Sequence, residues 1–182
     1  MKSHAPNTSS SETVTQCRFL IMGYGHEQQG DAAVGCQIVE TVAAWRLPSV
    51  ETLAVRQLTP ALVEDIAKAD YVILVDACGK SCVHTVQLDP ILTSETPLLW
   101  DAVQNPSQPC EPSELLSLTQ ARYGRHPLAW LLEIPAQCFE TDHTLSDVAQ
   151  EGCDRALRII EQFFTTYLQS PCVRSESCQQ SG

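Results

Sequence analysis

Asp76 holds the position in this chain best suited to chemistry. It closes Tyr71-Val72-Ile73-Leu74-Val75, the most apolar strand pattern in the sequence. A carboxylate leaving a buried strand faces the crevice beyond it, where ligands of open α/β sheets collect. Its bland alternative is a cap on the loop that follows, through the backbone N–H groups of Cys78 or Gly79. A second polar segment, Gly23-Tyr24-Gly25-His26-Glu27, follows another short apolar run and leads to Gly30-Asp31-Ala32-Ala33-Val34-Gly35. Its glycines permit a tight turn. Asp31 is placed to cap the helix beyond, by accepting from free N–H groups of the first turn. As a dinucleotide fingerprint the segment fails, because four residues separate Gly25 from Gly30 and no acid ends the next strand to hold a ribose.

Other constellations are weaker. Cys78-Gly-Lys-Ser-Cys82-Val-His84 has metal-ligating types, but a structural zinc site needs a second ligand pair at close spacing, and neither Cys110 nor Cys138 supplies one. These thiols read as small polarizable packing groups. There is no G-x-S-x-G elbow for a serine nucleophile, and His4, His126 and His143 are isolated.

The elements that must position these groups alternate. Residues 18–22 predict a strand, and Val34, Ile38, Val42 and Trp45 form one face of a helix that Asp31 opens. Val50–Val55 predicts a second strand, and Thr59-Pro60 starts a short helix with proline where its missing N–H is harmless. The strand at 71–75 follows, then a weaker edge strand over Val83–Leu88, a loop at 101–112 and a helix over Glu114–Tyr123. Ala129–Ile134 predicts a buried strand stopped by Pro135, and Thr144 with Asp147 forms a capping box for a long last helix. This order is the signature of an α/β fold, a three-layer αβα sandwich with a mostly parallel sheet.

Composition narrows the partners. The 182 residues hold 22 acidic against 11 basic side chains, a net charge of −11, which disfavours nucleic acid and anionic lipid. A chain of this length predicts one domain of about 100–200 residues. The reading is a polar leader over 1–15, a folded unit over 16–169 and a polar tail over 170–182. No apolar run reaches the ~18 residues of a membrane span. With no secretory h-region in the leader, the expectation is a cytoplasmic protein whose nine cysteines are reduced.

Together these segments resemble the maturation endopeptidases of nickel–iron hydrogenases, from about Arg18 to Gln169. Ile21-Met22-Gly23-Tyr24-Gly25 through Gly35 is similar to the family's G-x-G-N-x-x-x-x-D-[DE]-x-x-G. Gln57-Leu58-Thr59-Pro60 leading to Ala69-Asp70-Tyr71 and on to Asp76-Ala77 resembles L-T-P-E-L…A-D-x-V-x-x-V-D-A. Leu115-Leu116-Ser117-Leu118 to Tyr123-Gly124 matches the family's following helix, and Leu132-Glu133-Ile134-Pro135 through Phe139-Glu140, with Leu145-Ser146, is similar to I-P-x-x-x-F-E…L-S.

The resemblance implies the αβα fold and one task, removal of a C-terminal extension from the hydrogenase large-subunit precursor. It implies no cofactor of the chain's own, since the nickel arrives with the substrate; the expectation for the chain itself is a monomer. An acid in the glycine loop, an aspartate at the central strand and a later histidine would sense that nickel; carboxylate and imidazole suit the divalent ion. Asp76 matches the aspartate. Ala32 stands where the loop acid is expected, His26 replaces the family asparagine, and the histidine position falls at Ser107-Gln108. The expected site is therefore Asp76, with Asp31 and His26 as replacement metal ligands and Gly25, Gly30, Ser107 and Gln108 as the substrate loop. Two readings stay open: a peptidase with a rearranged sensor, and a catalytically silent relative that binds or assembles.

Overall fold

The computed structural model describes residues 16–79, 85–93, 106–140 and 144–168. The expected leader and tail, together with Cys82, His84 and His143, lie outside the described residues. Strand β1 (Phe19–Tyr24) leads through a 3-10 turn at Gly30–Ala33 into helix α1 (Val34–Ala44) and strand β2 (Val50–Val55). A turn at Pro60–Leu62 precedes α2 (Val63–Lys68) and β3 (Tyr71–Cys78). Then come β4 (Gln87–Pro90), α3 (Pro112–Tyr123), β5 (Leu128–Pro135) and α4 (Asp147–Tyr167).

The strands order as β2-β1-β3-β5-β4, all parallel except β4, which runs antiparallel to β5 at the edge. Helices cover both faces. Phe19, Ile21, Tyr71, Ile73 and Ile134 pack with Ile38, Val42, Ile160 and Phe163 on the α1/α4 side. Leu20, Met22, Val72 and Leu74 pack with Val63, Ile66, Leu115 and Leu116 on the α2/α3 side. Burial on two faces is why β1 and β3 read as continuous apolar runs rather than alternating ones. Each such side chain contributes roughly 1.5–3 kcal/mol by leaving water. A Cβ on Gly23 would collide with the carbonyl of Gly35, so paired glycines let α1 descend onto the strand backbone.

Some local expectations need correction. Asp31 does not cap α1: the helix starts three residues later and its N-cap, Ala33, makes no side-chain cap bond. The last helix is capped by Ser146, whose hydroxyl accepts from the Ala149 N–H at 3.2 Å, and not by the Thr144 box. The edge strand falls at Gln87–Pro90, later than its pattern suggested. Helix α3 begins at Pro112, two residues early, because Glu111 and Glu114 form a reciprocal capping box. Cys17 and Cys78, at opposite ends of the sheet, are each in a disulfide and not with one another, against the expectation of reduced thiols throughout, since pairing depends on spatial approach and not on sequence spacing. Cys36, Cys110, Cys138 and Cys153 are free.

Candidate functional site

The topology changes direction between β1 and β3: the chain leaves β1 toward β2 and leaves β3 toward β5. Their carboxyl ends are therefore the natural ligand position. Tyr24 ends β1 and Asp76 stands near the end of β3, while Glu133 of β5 is the register partner of Asp76. All continue the α2/α3 side of the sheet, to which Leu20, Met22, Leu74 and Leu131 belong. Glu111, at the mouth of α3, adds its charge from the same side.

Asp76 is half-buried, and its Oδ1 accepts from the Ala77 N–H at 2.8 Å. Burial pushes its carboxyl above the ordinary carboxylate range. The Tyr24 hydroxyl and the Ala77 N–H oppose that rise as donors, whereas Glu133 and Glu111 reinforce it as like charges. The Tyr24 phenol is in turn driven upward by burial and by Asp76 beside it. The surroundings thus favour a proton on this group more than an exposed aspartate would.

Asp31 is placed quite differently. It is 0% exposed, and both carboxylate oxygens are taken by four donors. Oδ2 accepts from the Gln137 N–H (2.7 Å), the Cys138 N–H (2.9 Å) and the Ser146 hydroxyl (2.7 Å), and Oδ1 accepts from the Ser146 N–H (2.7 Å). Burial works against this charge, but those N–H groups and that hydroxyl outweigh it and hold the carboxyl below its usual range. The Asp31 N–H also donates to the Cys138 carbonyl at 2.7 Å. Gly30, at φ +49°, lets the chain press against that same carbonyl, where a Cβ would come within 2.5 Å. Gly30 and Asp31 therefore fasten the loop after β1 to the segment after β5 and to the start of α4.

His26 faces away from this latch. Its Nε2 lies 2.6 Å from an Arg56 guanidinium nitrogen, and its Nδ1 lies 3.4 Å from the Gln28 N–H. With Gly25, Glu27, Cys36, Ala54 and Val55, the pair lines a crevice of about 300 Å³ beyond β1 and β2. Ser107 and Gln108 are exposed, on a segment tied to residues 57–61 by Cys110 N–H to Leu58 C=O (3.0 Å) and Ala61 N–H to Pro106 C=O (3.3 Å). Among the described residues, no three His, Cys, Asp or Glu side chains converge to hold a metal ion.

A larger crevice of about 790 Å³ opens beyond β3 and β5, lined by Ala77, Cys78, Gly79, Glu133, Ala136, Gln137 and Phe139. Phe139 is 46% exposed at its rim. Tyr24, Glu111, Glu133 and Arg56 were not singled out from the sequence. Signals existed for two of them: Glu133 is a charge inside an apolar strand, and Arg56 directly follows one.

Solved structures share this fold. The [NiFe] hydrogenase maturation protease HycI from Thermococcus kodakarensis KOD1 aligns with a TM-score of 0.63 and 19% identity, over 82% of this chain and 94% of that one. The fold is that of the hydrogenase maturation proteases. The maturating endopeptidase HybD from E. coli aligns at 0.62 and 21% identity, over 82% of this chain and 93% of that one. Another endopeptidase from Escherichia coli aligns at 0.60 and 23% identity, over 82% and 93%. No protein-family model matches the chain, and no curated protein matches its sequence. Among the described residues, no helix is long and apolar enough to cross a membrane.

Proposed function

We propose that this chain is a divergent relative of the hydrogenase maturation proteases that docks the C-terminal tail of a hydrogenase large-subunit precursor without cutting it. The reading is supported above all by the fate of Asp31. A replacement nickel ligand needs a lone pair aimed at the crevice, and Asp31 is 0% exposed with both oxygens turned to donors of the Gln137–Cys138 and Ser146 segments. Ala32 brings only a methyl group, and His26 is engaged by Arg56. Of the expected ligands, Asp76 stays half-buried near the end of β3, and its register partner Glu133 lines a crevice of about 790 Å³. In this reading Asp76 accepts from the backbone or side chains of the docked tail, and the exposed Phe139 ring covers an apolar residue of it.

The test uses the full chain and a nickel-loaded large-subunit precursor that retains its extension. The purified protein should retain the precursor on a column, and the precursor's mass should stay unchanged after prolonged incubation. Asp76→Ala should weaken retention at least tenfold. Release of the C-terminal extension by the wild-type chain, and its loss in Asp76→Ala, would instead establish the peptidase reading.

A further inference from the structure

The crevice beyond β1 and β2 is distinct from the Asp76 side of the sheet, and its charged and polar walls include Arg56, His26 and one acid, Glu27. Arg56 has no carboxylate within ion-pair distance among the described residues, although acids outnumber bases two to one in the chain. Its partner is an imidazole nitrogen, 2.6 Å away. A guanidinium only donates, so His26 Nε2 is called on to accept there. Nδ1 is likewise called on to accept, from the Gln28 N–H at 3.4 Å. The ring thus meets a donor on each side, with one acceptor to offer. An oxyanion entering the crevice would accept from Arg56 and free the ring nitrogen from this opposition. We propose that Arg56 and His26 form a binding site for a single carboxylate. The planar fork of Arg56 suits a carboxylate in bidentate geometry. Glu27, which lines the same crevice, adds a negative charge that disfavours a dianion such as phosphate. The volume of about 300 Å³ holds one small residue with its terminal carboxylate. This site stands whether or not the chain docks a hydrogenase precursor.

The probes are N-acetyl-Ala-Ala with a free carboxylate, the same peptide as its C-terminal amide, and inorganic phosphate at matched ionic strength. The readout is ¹H–¹⁵N NMR of the full-length protein, following the Gly25 and Gln28 amides and the Arg56 side chain. The free acid should shift these signals in a saturable, single-site manner, with at least tenfold weaker response to the amide. Arg56→Ala, at an exposed position, should abolish saturation while the remaining spectrum stays folded. His26→Asn should weaken binding severalfold. Equal responses to acid and amide, retained saturation in Arg56→Ala, or tighter saturation by phosphate would each overturn the assignment.

Discussion

Asp31 and Asp76 sit at the same end of one sheet, and their surroundings drive their protons in opposite directions. Both are withdrawn from water. Asp31 is met by four donors spread over two chain segments, so its charge is held and it acts as a fastening. Asp76 is met by its neighbour's N–H and a phenol, and is crowded by Glu133 and Glu111, so its charge is resisted. Burial alone does not decide what a carboxylate does; the count and sign of its neighbours do. The fastened acid ties two distant segments together, and the crowded one is left with fewer donors.

The contrast can be broken most severely at Asp31. Asp31→Ala leaves the Gln137, Cys138 and Ser146 N–H groups without their acceptor, and urea unfolding should show a loss of about 3–5 kcal/mol. A variant as stable as wild type would remove the latch. The same acid sets a pH limb. Its folded-state affinity for a proton is lowered, so its contribution is full above the unfolded value near 3.8 and is lost as pH falls through the lower folded value. Asp31→Asn should flatten that acid limb in a stability-against-pH series.

Ser146→Ala removes one hydroxyl donor to Asp31 and the cap on Ala149, and should cost about 1–2 kcal/mol in the same measurement. Asp76 should behave in the reverse sense. Its folded-state proton affinity is raised, so its favourable contribution is present below the unfolded value and is lost as pH rises through the folded one. Asp76→Asn should therefore leave neutral-pH stability unchanged or raise it by up to about 1 kcal/mol, while weakening precursor binding. A clear destabilisation at neutral pH would mean that the two aspartates are alike. The smallest effect belongs to Tyr24→Phe. It removes a donor that favours the charged carboxylate, so the Asp76 titration followed by ¹³C NMR should move further upward, with stability altered by less than about 1 kcal/mol.

The family-like blocks that made the chain legible prove to be largely architectural. Gly30-Asp31 from the first block meets Gln137-Cys138 and Ser146 from the last, so two distant motifs are the two halves of one latch. Asp31 was readable as a helix cap because Ser, Thr, Asp and Asn at a helix start usually serve that helix; here the carboxylate serves a different helix, more than a hundred residues on. Asp76 was readable because a polar residue ending an apolar run has to emerge somewhere. Its acidic neighbours were not, because Glu133 and Glu111 approach through sheet register and helix placement.

The sequence by itself determined the layers and most of the strands, because apolar periodicity and chain order are local properties that burial must respect. Only the tertiary structure decided which aspartate is bound up and which is left open, and that Arg56 faces His26 across a crevice. Those outcomes depend on which donors and charges arrive from elsewhere in the chain within about 3 Å, a distance at which hydrogen bonding is settled and which no spacing along the sequence specifies.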